Sequence, residues 1–124
     1  MKFLTNFKKS AKPKNQRKYR SNAPLHKRNN MMKVHLSKEL SKKFSKRTAR
    51  VVKGDKVKVM TGQFKGKSGK VEEVNMKNYK IFVAGIETQK TDGTKVRIQI
   101  AVSNLMITEL NLSDKKRQEI LKRK

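Results

Sequence analysis

The chain has 124 residues, with 34 lysines and arginines against 9 acids, a net charge of +25 and no cysteine. That length suits one domain with extensions, and that charge calls for a densely anionic partner, either nucleic acid or an anionic membrane. No apolar run reaches membrane-spanning length, the N-terminal MKFLTNFKKSA lacks the apolar stretch of a secretory signal, and a disulfide framework or Cys-based zinc site is excluded.

Charge separates three parts: residues 1–50 carry a net +16, residues 51–112 a net +5 and residues 113–124 a net +4. The first part is basic and acid-poor like a transit peptide, yet it favours Lys where those segments favour Arg. Residues 1–22 are mostly Lys, Arg, Asn, Gln and Ser, which predicts an extended or disordered segment that orders on a partner. Ala23-Pro24 opens a short helix through about Met32, with Pro24 in its first turn. Ser37 caps a second helix of about Ser37 to Lys46, and Leu36, Leu40 and Phe44 form a stripe that packs it on the remainder. The middle part alternates with period 2. Val57 and Val59 come first, then Val71 and Val74, then Tyr79, Ile81 and Val83, then Val96, Ile98 and Ile100, and last Leu105 and Ile107. Turn chemistry separates these runs, at Gly62, Gly66 and Gly69, at Asn75 to Asn78, at Gly85, and at Thr91-Asp92-Gly93-Thr94. Five or six short strands in about sixty residues predict a small barrel. Ser113 caps a final short helix whose face is basic and poorly apolar.

The stretch GQFKGKSG, Gly62 to Gly69, nearly matches the phosphate-binding loop G-x-x-x-x-G-K-[ST]. Only three residues separate its first two glycines, and Gly69-Lys70-Val71 continues as a strand rather than the helix that such a loop needs. Nucleotide hydrolysis is therefore set aside. Asp55, Glu72, Glu73, Glu87 and Asp92 are scattered and read as turn or surface charges, so no catalytic constellation is framed. His26 and His35 have only Glu39 near them. They read as packing or phosphate-contacting residues, not metal ligands.

The wider window GDKVKVMTGQFKGKSGKV, Gly54 to Val71, explains the glycines differently. Gly54-Asp55 suits a tight turn into a strand, Val57 and Val59 face inward, Gly62 and Gly66 turn a loop, Gly69 permits a bend or close approach, and Val71 returns to the core. The window resembles the KOW motif at Gly54, Asp55, Val57, Val59, Gly62, Lys65, Gly66, Gly69 and Val71. KOW modules imply a small SH3-like barrel on a nucleic-acid machine. With the flanks SNAPLHKRNNMMKVHLSKELSKKF and DGTKVRIQIAVSNLMITELNL, residues 12 to 122 resemble the archaeal–eukaryotic branch of a universal large-subunit ribosomal protein family, called twenty-four in bacteria and twenty-six in eukaryotes. Ser37-Lys38-Glu39-Leu40 and Ser103-Asn104-x-Met106-Ile107-Thr108 carry this most clearly. Ala101-Val102 stands where the family usually has His-Pro, which predicts a relaxed turn before Ser103-Asn104, and the C-terminal tail is short.

The resemblance implies a mainly β fold, with a KOW barrel at residues 51–112, a basic RNA-binding extension with short helices at 1–50, and a basic helix or tail at 113–124. It implies a structural, non-enzymatic protein of cytoplasmic ribosomes that binds the 5′ domain of large-subunit rRNA and contacts neighbouring large-subunit proteins. A role in early assembly near the nascent-chain exit tunnel follows from it. No membrane, small-molecule substrate, cofactor or self-association is expected. The rival reading is a KOW-containing transcription-elongation or RNA-processing factor, which would normally carry further domains. A general cationic DNA- or membrane-binding protein is a third, disfavoured by the ordered barrel pattern and weak amphipathicity.

The basic residues are 26 lysines and 8 arginines, a balance suited to phosphate neutralisation more than base readout. Candidate RNA contacts in the extension are Lys12, Lys14, Arg17, Lys18, Arg20, His26, Lys27 and Arg28. Further along are Lys42, Lys43, Lys46, Arg47 and Arg50. In the barrel the loop candidates are Thr61, Gln63, Lys65 and Lys67, with Ser103 and Asn104 added by the family resemblance. Tyr19 and Phe64 each read either as a base stack or as ordinary packing, and Lys95, Arg97 and Gln99 as either an RNA-facing or a solvated strand face.

Overall fold

The computed structural model describes residues 8–123. The extended reading of residues 1–7 lies outside them. In chain order come α1 (Pro13–Asn22), α2 (Leu25–Met31), β1 (Lys33–Leu36), α3 (Lys38–Phe44), β2 (Thr48–Arg50), β3 (Lys56–Val59), β4 (Ser68–Asn75), β5 (Lys80–Gln89), β6 (Lys95–Ala101), a 3-10 turn (Val102–Asn104), β7 (Leu105–Glu109) and α4 (Lys115–Lys122). The fold is mainly β, a small SH3-like barrel with short helices before and after it. Its strands run in the order β2-β1-β7-β3-β4-β5-β6. Neighbours are antiparallel except β1 and β7, which pair in parallel through His35–Met106 and Leu36–Ile107.

The first fifty residues contribute more than helices. Met32, Val34 and Leu36 alternate with Lys33 and His35, and the apolar three are buried. Ala49 and Val51 join them from β2 and its end. Removing a valine or leucine side chain from water is worth roughly 1.5–3 kcal/mol, so this antiparallel pair of strands belongs to the core. Leu36 therefore lies in β1 and not in the helical stripe; Leu40 and Phe44 alone carry α3 onto the core. Ser37 caps α3 as expected, its Oγ accepting from the Leu40 N–H at 3.4 Å.

Residues 13–22 are helical where an extended segment was predicted. The helix buries no residue, which is why hydrophobic periodicity misses it. Polar anchors hold it instead. Pro13 occupies its first turn, Asn15 Nδ2 donates to Ser10 Oγ at 2.9 Å, Gln16 Nε2 donates to the Ser10 carbonyl at 2.6 Å, and Tyr79 Oη donates to the Arg20 carbonyl at 2.9 Å. Pro24 caps α2 from just outside it and does not lie within its first turn.

In the barrel, β5 buries Ile81 and Val83, then changes parity to bury Ile86. Its register with β6 shifts between Phe82 and Glu87, and Gly85 has φ +79°. Beyond that bulge the β5–β6 ribbon leaves the core. Of the three β6 residues expected inward, Ile100 is buried, Ile98 is half-buried and Val96 is exposed. The turn after Ala101 is anchored and not relaxed: Val102 is buried, and the Asn104 carbonyl accepts from the Met60 N–H at 2.8 Å. Gly69 is demanded by crowding, since a Cβ there would lie 2.3 Å from the Ala84 carbonyl oxygen.

Asp55 is not a turn or surface charge. It is fully buried, the sole charged residue in the core of the described chain. Its carboxylate accepts from the Val52 N–H at 2.9 Å and the Asn111 N–H at 2.8 Å. Arg117 of α4 meets both oxygens as a fork, at 2.6 Å each. Arg117 also donates to the carbonyls of Asn111 and of Arg50. Leu121 on the same helix is buried, so α4, capped by Asp114 and not Ser113, docks by both charge and packing.

Breaking a buried ion pair by removing one partner costs about 3–5 kcal/mol. Arg117→Ala is expected to lose stability on that scale in urea unfolding; a change near zero would show that the pair contributes little. Gly69→Ala is expected to cost about 1–3 kcal/mol through overpacking against the Ala84 carbonyl, and an unchanged unfolding midpoint would contradict the crowding argument.

Candidate nucleic-acid interface

Three cationic regions are built by different local rules. On α1, Lys14, Arg17 and Lys18 share one exposed helical face by their i, i+3, i+4 spacing, with Lys12 exposed at the N-cap and Arg20 exposed in the last turn. Tyr19 is half-buried and lines a cleft with Tyr79, Met31 and Val102, so ordinary packing accounts for part of its ring. On α2, His26 and Lys27 are exposed. Arg28 is not. Its guanidinium donates to the Ala23 carbonyl at 2.7 Å, the Lys77 carbonyl at 3.2 Å and the Ser21 carbonyl, tying α1 and α2 to the β4–β5 turn. This engages its fork within the fold.

The second region is the last turn of α3 and the segment after it. Lys42, Lys43, Arg47 and Arg50 are exposed, and Lys43 lies 5.7 Å from the Phe44 ring centroid. Lys46 is half-buried and its ammonium donates to the Ile120 carbonyl of α4. The segment from Lys46 to Arg50 is thus held between the β1–β2 pairing and the C-terminal helix.

The third region is the KOW loop between β3 and β4. Gly62 and Gly66 have φ +92° and +89°, values that penalise any residue with a Cβ. Thr61, Gln63, Lys65 and Lys67 are exposed on it. Phe64 is half-buried and packs on the core, and Lys67 Nζ sits 5.2 Å from its ring centroid. Within the loop the N–H groups of Lys65, Gly66 and Lys67 donate to the carbonyls of Gly62, Val59 and Phe64, so these three amides are engaged in the turn. The Met60–Asn104 bond brings the 3-10 turn beside the loop, with Ser103 exposed and Asn104 half-buried.

The β6 face is more committed. Arg97 pairs with Glu72 at 3.4 Å and stacks 5.0 Å from the Phe82 ring centroid. Lys56 pairs with Glu109 at 2.8 Å. Such exposed pairs are worth about 0–1 kcal/mol, but they occupy the cations concerned. Lys65, Arg47 and Arg50 have no acidic partner among the described residues. Sequence reasoning missed Lys33 and the brace made by Arg117. For Lys33 the signal was present in the alternation Met32-Lys33-Val34-His35-Leu36, which turns Lys33 outward.

Among the described residues no group of His, Cys, Asp and Glu is arranged to hold a metal ion, and no helix is long and apolar enough to cross a membrane.

Comparison with known proteins places this arrangement. The family profile for ribosomal proteins L26 of eukaryotes and L24P of archaea matches residues 10–124. The large ribosomal subunit protein uL24 of Methanosphaera stadtmanae is 48% identical over 115 residues, covering 93% of this chain and 98% of the relative. Its counterpart in Methanocella arvoryzae is 49% identical, covering 93% of each chain. That of Korarchaeum cryptofilum is 46% identical, covering 94% of this chain and 88% of its own. With a family match over nearly the whole length and near-complete mutual coverage, the chain belongs to the L26/L24P family of ribosomal proteins.

Proposed function

We propose that the chain serves the large ribosomal subunit as a structural, non-catalytic constituent that holds rRNA mainly through its phosphate backbone and shape. The observation that carries this reading is the division of its cations. Arg28, Arg97 and Arg117 are engaged with the protein's own carbonyls and carboxylates, whereas Lys65, Arg47 and Arg50 face outward without an acid. Lysine ammonium groups neutralise phosphate as point charges, and duplex RNA offers chiefly backbone and 2′-hydroxyls to such a surface. The proposed contacts are the α1 face, the segment from Lys42 to Arg50, and the Thr61–Lys67 loop with Ser103 and Asn104. A role in early subunit assembly near the exit tunnel, with neighbouring ribosomal proteins as further contacts, is part of the same proposal.

Two measurements test it. If about ten phosphates are neutralised, rRNA affinity should fall with a log–log salt slope of roughly −7 to −9, and the protein should co-sediment with large subunits at moderate salt. Recovery only in a free pool would overturn the assignment. Changing Lys65 and Lys67 together to Glu should leave the barrel folded and weaken rRNA binding. Unchanged affinity with a native circular dichroism spectrum would remove the loop from the interface.

A further inference from the structure

A cavity of about 560 Å³ opens between the end of α2, the β1–β2 pair and α4. Its floor is apolar, made by the buried Ala49, Val51 and Leu121. Two aliphatic side chains stand at its lip with unusual exposure, Val52 at 43% and Ile120 at 46%. Around the rim lie Lys33, Arg47 and Arg50, whose side chains have no hydrogen-bond or ion-pair partner among the described residues. Asn29, Asn30 and Thr48 add amide and hydroxyl groups to the wall. The one acid on the lining is Asp114, and its Oδ1 is already engaged with the Lys116 N–H at 2.9 Å as the α4 cap.

We infer that this cavity receives a single unstacked nucleotide of the bound RNA, the base against Val52 and Ile120 and the phosphate among Arg47, Arg50 and Lys33. The inference rests on the RNA-binding reading and adds to it a pocket for one residue of the polymer. Three features select this occupant. The volume lies in the range of small-ligand sites, about 300–1,000 Å³, which admits one nucleotide and not a duplex. An apolar floor contributes nothing to a bare phosphate but favours the face of a base. Three cations at the rim oppose a hydrophobic peptide, while amides and a hydroxyl can read a base edge that is splayed out of a loop or bulge. No aromatic residue lines the cavity, so the base is held between aliphatic groups and is not stacked on a ring.

The test uses the full chain. Its methyl groups are followed by NMR during titration with AMP and with UMP, with inorganic phosphate and a polyglutamate peptide as separate controls. Saturable shifts of Val51, Val52 and Leu121 with a mononucleotide, and not with phosphate, are expected. The same shifts with phosphate alone would reduce the site to an anion contact, and stronger shifts with polyglutamate would assign it to an acidic protein; either overturns the inference. In parallel, Ile120→Trp and Val52→Trp each fill the cavity from its exposed edge without altering charge. Each is expected to weaken large-subunit rRNA binding by about tenfold while leaving the salt slope unchanged. Wild-type affinity in both variants, with native spectra, sinks the nucleotide pocket. Failure of the wild-type protein to bind the rRNA sinks the broader reading instead, so the two failures are distinguishable.

Discussion

A carboxylate taken out of water is a heavy penalty, several kilocalories per mole even after relaxation, and it is offset only when every lone pair finds a donor. Asp55 meets that condition with two backbone N–H groups and a two-pronged guanidinium. One donor is local, in the turn before β3; the others come from distant parts of the chain, the segment after β7 and α4. Because Arg117 also reaches the Arg50 carbonyl, the end of β2 is fixed by the same group. The C-terminal helix is thereby a wall of the molecule, and the cavity beside it exists because that wall is docked.

Three of the arginines share a pattern. Arg28 gathers three carbonyls, Arg97 pairs with Glu72 over the Phe82 ring, and Arg117 holds Asp55. A planar fork with fixed donor directions suits such multi-point bracing, where a flexible ammonium would satisfy one acceptor at a time. The protein thus uses part of its small stock of arginine to hold its own shape. Lys65 and its neighbours on the loop remain turned outward.

The KOW window was legible because its demands are steric and local. Positive φ at Gly54, Gly62 and Gly66 and the crowded Cβ direction at Gly69 each leave a glycine in the sequence. The β3–β4 hairpin and the apolar phases of β7 and early β5 follow from the same window and from simple alternation. Other features were hidden for physical reasons. The burial of Asp55 depends on a partner 62 residues away, and an isolated aspartate is ordinarily exposed. Helix α1 has no apolar face to reveal it, and β1 is four residues long, with Leu36 equally readable as the start of a helical stripe. Phe64 and Arg28 were plausible RNA contacts by residue type alone; only the packing of the one and the carbonyls around the other show their use within the fold.

The place of β7 in the sheet has a consequence in time. Last of the described strands, it sits third in the sheet, between β1 and β3, and joins the β1–β2 pair to the β3–β6 meander. Until it is made, those two pieces share no strand pairing. Until Arg117 follows, the carboxylate of Asp55 lacks its cation. A growing polypeptide therefore cannot close this barrel strand by strand as it emerges. Its architecture defers completion until β7 and α4 have been made and can join the two halves.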